Sequence, residues 1–313
     1  MEISLKKIIF VQDISNAKLM EFKKLIDRGA ELERMNEALH REDTQFIVIY
    51  GRRRIGKSEL IKRIVKARHK AIYFLSDTSS ETVQRVAFSK VAASVIDGFD
   101  KVIYPDWETL FRSFNNQLSE RMLVCLDEFP YLVKSCDVLP SIIQKLLNEK
   151  ILKFDLILCG SSQQLMHGYV LNRQSPLYGL ANEIIKMQPI PAQYMSMAME
   201  CDAVQAVEEY AIWGGVPRYW ELRRDYPDKE TAIRKVLLDP QGPLIEEPQR
   251  LLRDDMRDTV QASTLLTIIG NGANKLSEIA TRAGKDSSTI SEPLSKLRDL
   301  GYVSREVPFG ESP

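Results

Sequence analysis

The run Gly51-Arg52-Arg53-Arg54-Ile55-Gly56-Lys57-Ser58 constrains this chain more than any other feature, because it fills every position of a glycine-framed phosphate-binding loop. Before it, Phe46-Ile47-Val48-Ile49-Tyr50 is a short apolar, β-branched run that reads as a buried strand. After it, Glu59 to Lys66 mixes apolar and charged residues at helical spacing. A loop between two such elements lets its glycines curl backbone N–H groups around an anion, at the positive end of the helix that follows. Lys57 then reaches the β and γ oxygens of a nucleoside triphosphate, and the Ser58 hydroxyl ligates Mg²⁺. The whole stretch from Gly51 to Glu59 is therefore expected to contact nucleotide.

The length of 313 residues suggests about two domains. Lys plus Arg equals Asp plus Glu at 43 each, so charge balance points neither to nucleic acid nor to an anionic membrane. No run of about 18 apolar residues occurs, and Met1-Glu2-Ile3-Ser4-Leu5-Lys6-Lys7 carries no signal-peptide pattern. No membrane partner is expected. Cys125, Cys136, Cys159 and Cys201 lack metal-type spacing, which fits small buried thiols in a reducing cytoplasm. His40, His69 and His167 are scattered, with no ligand cluster near them.

Residues 1–20 form a lead-in, and Phe22 to Leu39 reads as an amphipathic helix delivering the chain to the first strand. Further apolar strands are expected at Ala71–Leu75, Met122–Leu126, Asp155–Cys159 and Glu183–Met187. Helical segments fall between them, around Glu81–Ile96 and Trp107–Leu118, so the pattern predicts a parallel α/β sheet covered on both faces. After Pro189 the chain reads as helical to about Arg257, broken by Gly214-Gly215-Val216-Pro217. Three short helices are then expected at Thr259–Gly270, Leu276–Gly284 and Ser287–Leu300, the last capped by Asp286. Tyr302 to Pro308 looks like the first strand of a wing, giving a winged helix-turn-helix that stops at Pro313 before a returning strand. The chain thus divides into an ATPase-type domain over 1–190, a helical lid over 191–256 and a truncated winged helix over 257–313.

The strand ending in Asp127-Glu128 is the expected partner of the loop. Asp127 would hold Mg²⁺ through its water shell, while Glu128 polarises the water attacking the γ-phosphorus. Ser161 and Ser162, at the end of the next strand, either sense the γ-phosphate or cap the following helix. Arg52, Arg53 and Arg54 lean on phosphates, on a facing domain, or on solvent. Lys145 and Arg173 are candidate trans-acting cations. Gly214 to Tyr219 is either a plain helix corner or part of a lid that sets Pro217 or Tyr219 against the base.

Five motifs occur in order: the loop with Ile49-Tyr50 before it, Leu126-Asp127-Glu128-Phe129-Pro130-Tyr131, Leu158-Cys159-Gly160-Ser161-Ser162, Ser175-Pro176-Leu177-Tyr178-Gly179, and Gly214-Gly215-Val216-Pro217-Arg218-Tyr219. In these the chain resembles the prokaryotic archaeal ATPase family, of the signal-transducing ATPases with numerous domains and related to AAA+ proteins. The resemblance runs from about Ile26 to the end of the chain. It implies Lys57 and Ser58 on phosphates and metal, Asp127 and Glu128 as the metal-holding and water-activating pair, Ser161 and Ser162 as sensor, and Pro217 at the base. Members usually continue into a C-terminal domain suspected of being nuclease-like, so no nuclease activity is expected of residues 1–313. They commonly carry Arg after the Ser-Pro-Leu-Tyr-Gly run, where this chain has Leu180-Ala181, so slow hydrolysis is expected.

Asn274-Lys275 is followed by Leu276-Ser277, unlike the guanine-reading motif of GTPases, and a small-molecule kinase has no need of Glu128. The expectation is therefore a Mg²⁺-dependent ATP-hydrolysing switch moving its lid and winged helix, oligomeric or not. The alternative is an ATP-regulated DNA-binding regulator. From Arg257 to Pro313 seven basic residues balance seven acidic ones, which predicts weak DNA binding at physiological salt and leaves DNA or a protein open as the partner of the winged helix.

Overall fold

Strands that are apolar on both sides persist only where both faces of their sheet are covered. The computed structural model describes residues 26–256, 258–307 and 310. In it β1 (Phe46–Tyr50), β2 (Ala71–Leu75), β3 (Met122–Asp127), β4 (Phe154–Gly160) and β5 (Glu183–Lys186) form one parallel sheet. Its order is β2-β3-β4-β1-β5. Every position of β3 and β4 is buried.

The two-residue period of the strands sorts their side chains between two cores. Ile47 and Ile49 of β1 pack with α1 (Gly29–Leu39) and α2 (Lys57–Ala67) on one face. Phe46 and Val48 face the other way, toward α3 (Glu81–Ala92), α4 (Trp107–Gln117), α5 (Phe129–Ser135) and α6 (Leu139–Asn148). That second core is rich in aromatic edge-to-face contacts centred on Phe88, which meets Phe74, Trp107, Phe111 and Phe114. A short α7 (Gln163–Met166) follows β4.

Beyond the sheet, α8 (Met195–Met199), α9 (Ala203–Trp213), α10 (Pro217–Arg224) and α11 (Lys229–Ala232) enclose a separate core around Trp213 and Trp220. The Gly214-Gly215 break lets this unit approach β5. Ile190 donates its N–H to the Gly215 carbonyl at 2.7 Å, and a Cβ on Gly215 would lie 2.1 Å from the Ile190 oxygen. Gly215→Ala is therefore expected to cost about 1–3 kcal/mol, as overpacking against backbone does. Urea unfolding would register it as a lower midpoint; an unchanged midpoint would contradict this packing.

The chain then enters α12 (Glu247–Asp255), α13 (Thr259–Gly270), α14 (Leu276–Ala283) and α15 (Ser287–Asp299), which share a fourth core. This C-terminal module is fastened to the end of the sheet. The Gln163 side chain donates to the Leu300 carbonyl at 3.2 Å, and Lys186 Nζ donates to the Asp299 carbonyl at 3.0 Å.

Three expectations need correction. Among the described residues, the helix expected over 22–39 covers Gly29–Leu39, and the residues just before it leave helical geometry: Asp27 is left-handed at φ 49° and Arg28 has φ −153° and ψ 19°. Residues 1–25 lie outside the described residues, the lead-in among them. Asp286 stands at the N-cap of α15 with extended backbone, yet its side chain caps no N–H there. No strand forms over 302–307, and Pro308 lies outside the described residues. A strand needs a neighbour for its N–H and C=O groups, and Tyr302 instead turns its N–H back to the Leu297 carbonyl at the end of α15.

Candidate functional site

The sheet order builds the site. β4 lies between β1 and β3, so the ends of the loop strand, the serine strand and the acid strand open side by side at the carboxyl edge. A cleft of about 750 Å³ lies there, lined among others by Arg53, Arg54, Gly56, Lys57, Ser58, Glu59, Glu128 and Ser161, with Pro217 and Arg218 of α10 on its far side.

The loop needs its glycines for different reasons. At Gly51, with φ 151°, a Cβ would sit 2.5 Å from the Met187 carbonyl oxygen and 2.7 Å from Ile55 Cδ1. Gly56 has open space around it but φ 95°. Arg54 is also left-handed at φ 67°, whereas Ile55 between them is not. Alternating handedness of this kind turns successive N–H groups into one concavity suited to an anion. For a residue with a side chain it costs roughly 1–2 kcal/mol.

Lys57 opens α2 and is 5% exposed. Its Nζ donates to the Gly51 and Arg52 carbonyls at 2.8 Å each, arching across the loop. Burial pushes its ammonium below the usual lysine range, and the nearby charges of Glu128 and Asp127 pull the other way. Ile55 itself is fully buried in the core beneath, and only its backbone belongs to the loop surface. Glu59 accepts from Arg63 at 3.3 Å, one helical turn on.

Asp127 is 1% exposed, and donors surround its carboxylate. Oδ2 accepts from Ser58 Oγ at 2.7 Å and from the Tyr73 hydroxyl at 2.5 Å, while Oδ1 accepts from the Glu128 N–H at 2.9 Å. The Tyr73 phenol is pushed up by burial and by its bond to Asp127. Two hydroxyls beside one carboxylate are too small a set for a protein-only cage. They suit a hard cation such as Mg²⁺, which keeps waters and takes phosphate oxygens as further ligands.

Glu128 has a left-handed backbone, φ 53°, and ends the strand by turning its side chain to Ser161. Its Oε2 accepts from the Ser161 hydroxyl at 2.9 Å and from the Ser161 N–H at 3.3 Å. The Ser76 hydroxyl, beyond β2, lies within 2.6 Å of the Asp127 carbonyl and 2.7 Å of the Glu128 carbonyl. The two serines left open by sequence thus divide: Ser161 meets the carboxylate, and Ser162 caps α7 by accepting from the Leu165 N–H.

The three loop arginines spread apart. Arg52 stacks over the Tyr302 ring at 5.0 Å, Arg53 donates to the Tyr131 hydroxyl at 3.1 Å, and Arg54 pairs with Glu247 at 2.8 Å. Pro217 begins α10 on the cleft wall. Of the two candidate trans-acting cations, Lys145 pairs with Glu108 at 2.6 Å within its own chain.

Four residues had no sequence signal. Arg28 is buried and donates to the Ile55 and Gln188 carbonyls at 2.9 and 2.8 Å, tying the loop to the segment after β5. Tyr73 and Ser76 support the acid pair from β2, and Glu247 reaches the loop from a helix far along the chain.

Residues 25–221 match the family described as an ATPase domain predominantly from Archaea. An uncharacterized protein of Methanocaldococcus jannaschii, MJECL04, is 31% identical over 294 residues, 92% of this chain and 63% of that protein, so the chain spans under two thirds of its relative's length. Among solved structures, the Aeropyrum pernix ORC1 protein in complex with DNA has a TM-score of 0.50 at 17% identity, covering 90% of this chain and 86% of that one. The Aeropyrum pernix ORC2 protein, in ADPNP–ADP complexes, has a TM-score of 0.50 at 16% identity, with 90% and 87% covered. These likenesses concern the fold, a parallel five-stranded α/β sheet. The chain belongs to the archaeal ATPase-domain family.

Proposed function

We propose that this chain is a Mg²⁺-dependent, ATP-binding and ATP-hydrolysing switch, in which nucleotide state is coupled to the lid and to the C-terminal helices. The observation that carries this reading is the meeting of two different carboxylates at one loop. Asp127 is saturated with donors beside Ser58, and Glu128 is held separately by Ser161 at the cleft. Two acids in unlike surroundings suit two roles.

In this reading the nest from Gly51 to Gly56 receives the phosphates, and Lys57 exchanges its loop carbonyls for β and γ oxygens. Bound Mg²⁺ would neutralise the charge building on those oxygens. Ser58 and Asp127 would hold it, the carboxylate acting through water. Glu128 accepts the proton of the attacking water. Ser161 orients that carboxylate and, sitting where β4 ends, also faces the phosphate side. Pro217 closes the cleft toward the base. The chain divides functionally into residues 1–190, 191–256 and 257–313. The three C-terminal helices act as a helix-turn-helix module whose partner is DNA or protein.

A DNA-reading role is the second reading, favoured by the DNA-bound ORC1 protein among the structures of like fold. One experiment addresses both: phosphate release from ATP with Mg²⁺, with EDTA, and with added duplex DNA. Turnover that needs Mg²⁺ is expected, and its absence in every condition would count against an ATPase. A rise with DNA would shift weight to the second reading; a flat response would leave a protein partner.

A further inference from the structure

Glu247 is an unusual neighbour for a phosphate loop. It opens α12, almost two hundred residues along the chain from Arg54, and its side chain is 8% exposed. One oxygen, Oε2, meets Arg54 Nη1 at 2.8 Å; the other, Oε1, accepts from the Tyr219 hydroxyl at 2.9 Å. Tyr219 lies in α10, two residues past the Pro217 that lines the cleft, and packs against both the loop-side core and the lid core. The phosphate loop, α10 and α12 therefore meet at one carboxylate.

Of the three loop arginines only Arg54 is left-handed. Arg52 meets a ring face and Arg53 a phenol. A strained backbone conformation persists where the surroundings over-determine it. Here the guanidinium is anchored to a buried acid that is itself fixed by a tyrosine.

We propose that Glu247 is a positioning residue for nucleotide binding: through Arg54 it holds the phosphate loop in the alternating-handed conformation that points its N–H groups into the cleft. This rests on the nucleotide reading of the loop. The cost of Arg54's backbone is met from outside the loop, and the site is shaped in part by α12. Glycine at the same position carries no such cost, which supplies the test.

Calorimetric titration with Mg²⁺ and ADP reads the effect without turnover. Glu247→Gln keeps volume and an acceptor for Tyr219 but removes the charge that holds Arg54. It is expected to weaken ADP binding about tenfold. In the Arg54→Gly background the same substitution is expected to change nothing further, because there is no strain left to hold. Circular dichroism and thermal unfolding confirm that each variant is folded.

Unchanged or tighter binding in Glu247→Gln would overturn the proposal; the tighter case would mean that the freed guanidinium acts on phosphate directly. Equal losses in both backgrounds would overturn it too, since Glu247 would then act on the lid through Tyr219. A wild-type chain that binds no ADP, with Lys57→Ala as its matched control, would instead remove the nucleotide reading itself.

Discussion

Replacing Lys57 with alanine is expected to abolish tight ATP binding. The ammonium is nearly enclosed, faces two carboxylates, and is held by two loop carbonyls. Removing one partner of a buried charge pair typically costs about 2–5 kcal/mol, which corresponds to at least about thirtyfold in affinity. The loop also loses the strut across its own mouth, so the loss is expected toward the upper end of that range. Equilibrium titration with ATP and Mg²⁺ measures it. Affinity equal to wild type would mean that nucleotide binds elsewhere or not at all.

Glu128→Gln is expected to keep binding and to lower turnover by roughly 10²-fold or more, the usual share of a positioned base. The amide oxygen can still accept from Ser161, so the side chain keeps its place while losing its basicity. Single-turnover hydrolysis separates the chemical step from product release. If the variant and the wild type release phosphate at the same rate, water is activated by another group, and the Glu128–Ser161 bond is structural.

The part of the site that could be read from the sequence is the part written contiguously. The loop declares itself because glycines, lysine and serine must stand at fixed offsets to wrap one anion. The acid pair declares itself because it closes an apolar strand. The sheet was legible for a similar reason, since runs such as Met122–Leu126 leave no polar face to turn toward water. Arg28 and Glu247 were not legible: each is an ordinary charge in a charged stretch, and only the folded chain brings it to the loop. Ser161 and Ser162 could not be told apart without knowing which hydroxyl faces Glu128 and which faces α7. No wing strand forms over the described residues 302–307, and whether a run finds a pairing partner is invisible in that run alone.

Gln163 stands two residues beyond Ser161, and the pair grip different things. Ser161 holds the Glu128 carboxylate, while Gln163 holds the last carbonyl turn of α15. The residue that meets the end of the C-terminal helices and the residue that holds the Glu128 carboxylate are thus separated along the chain by Ser162 alone.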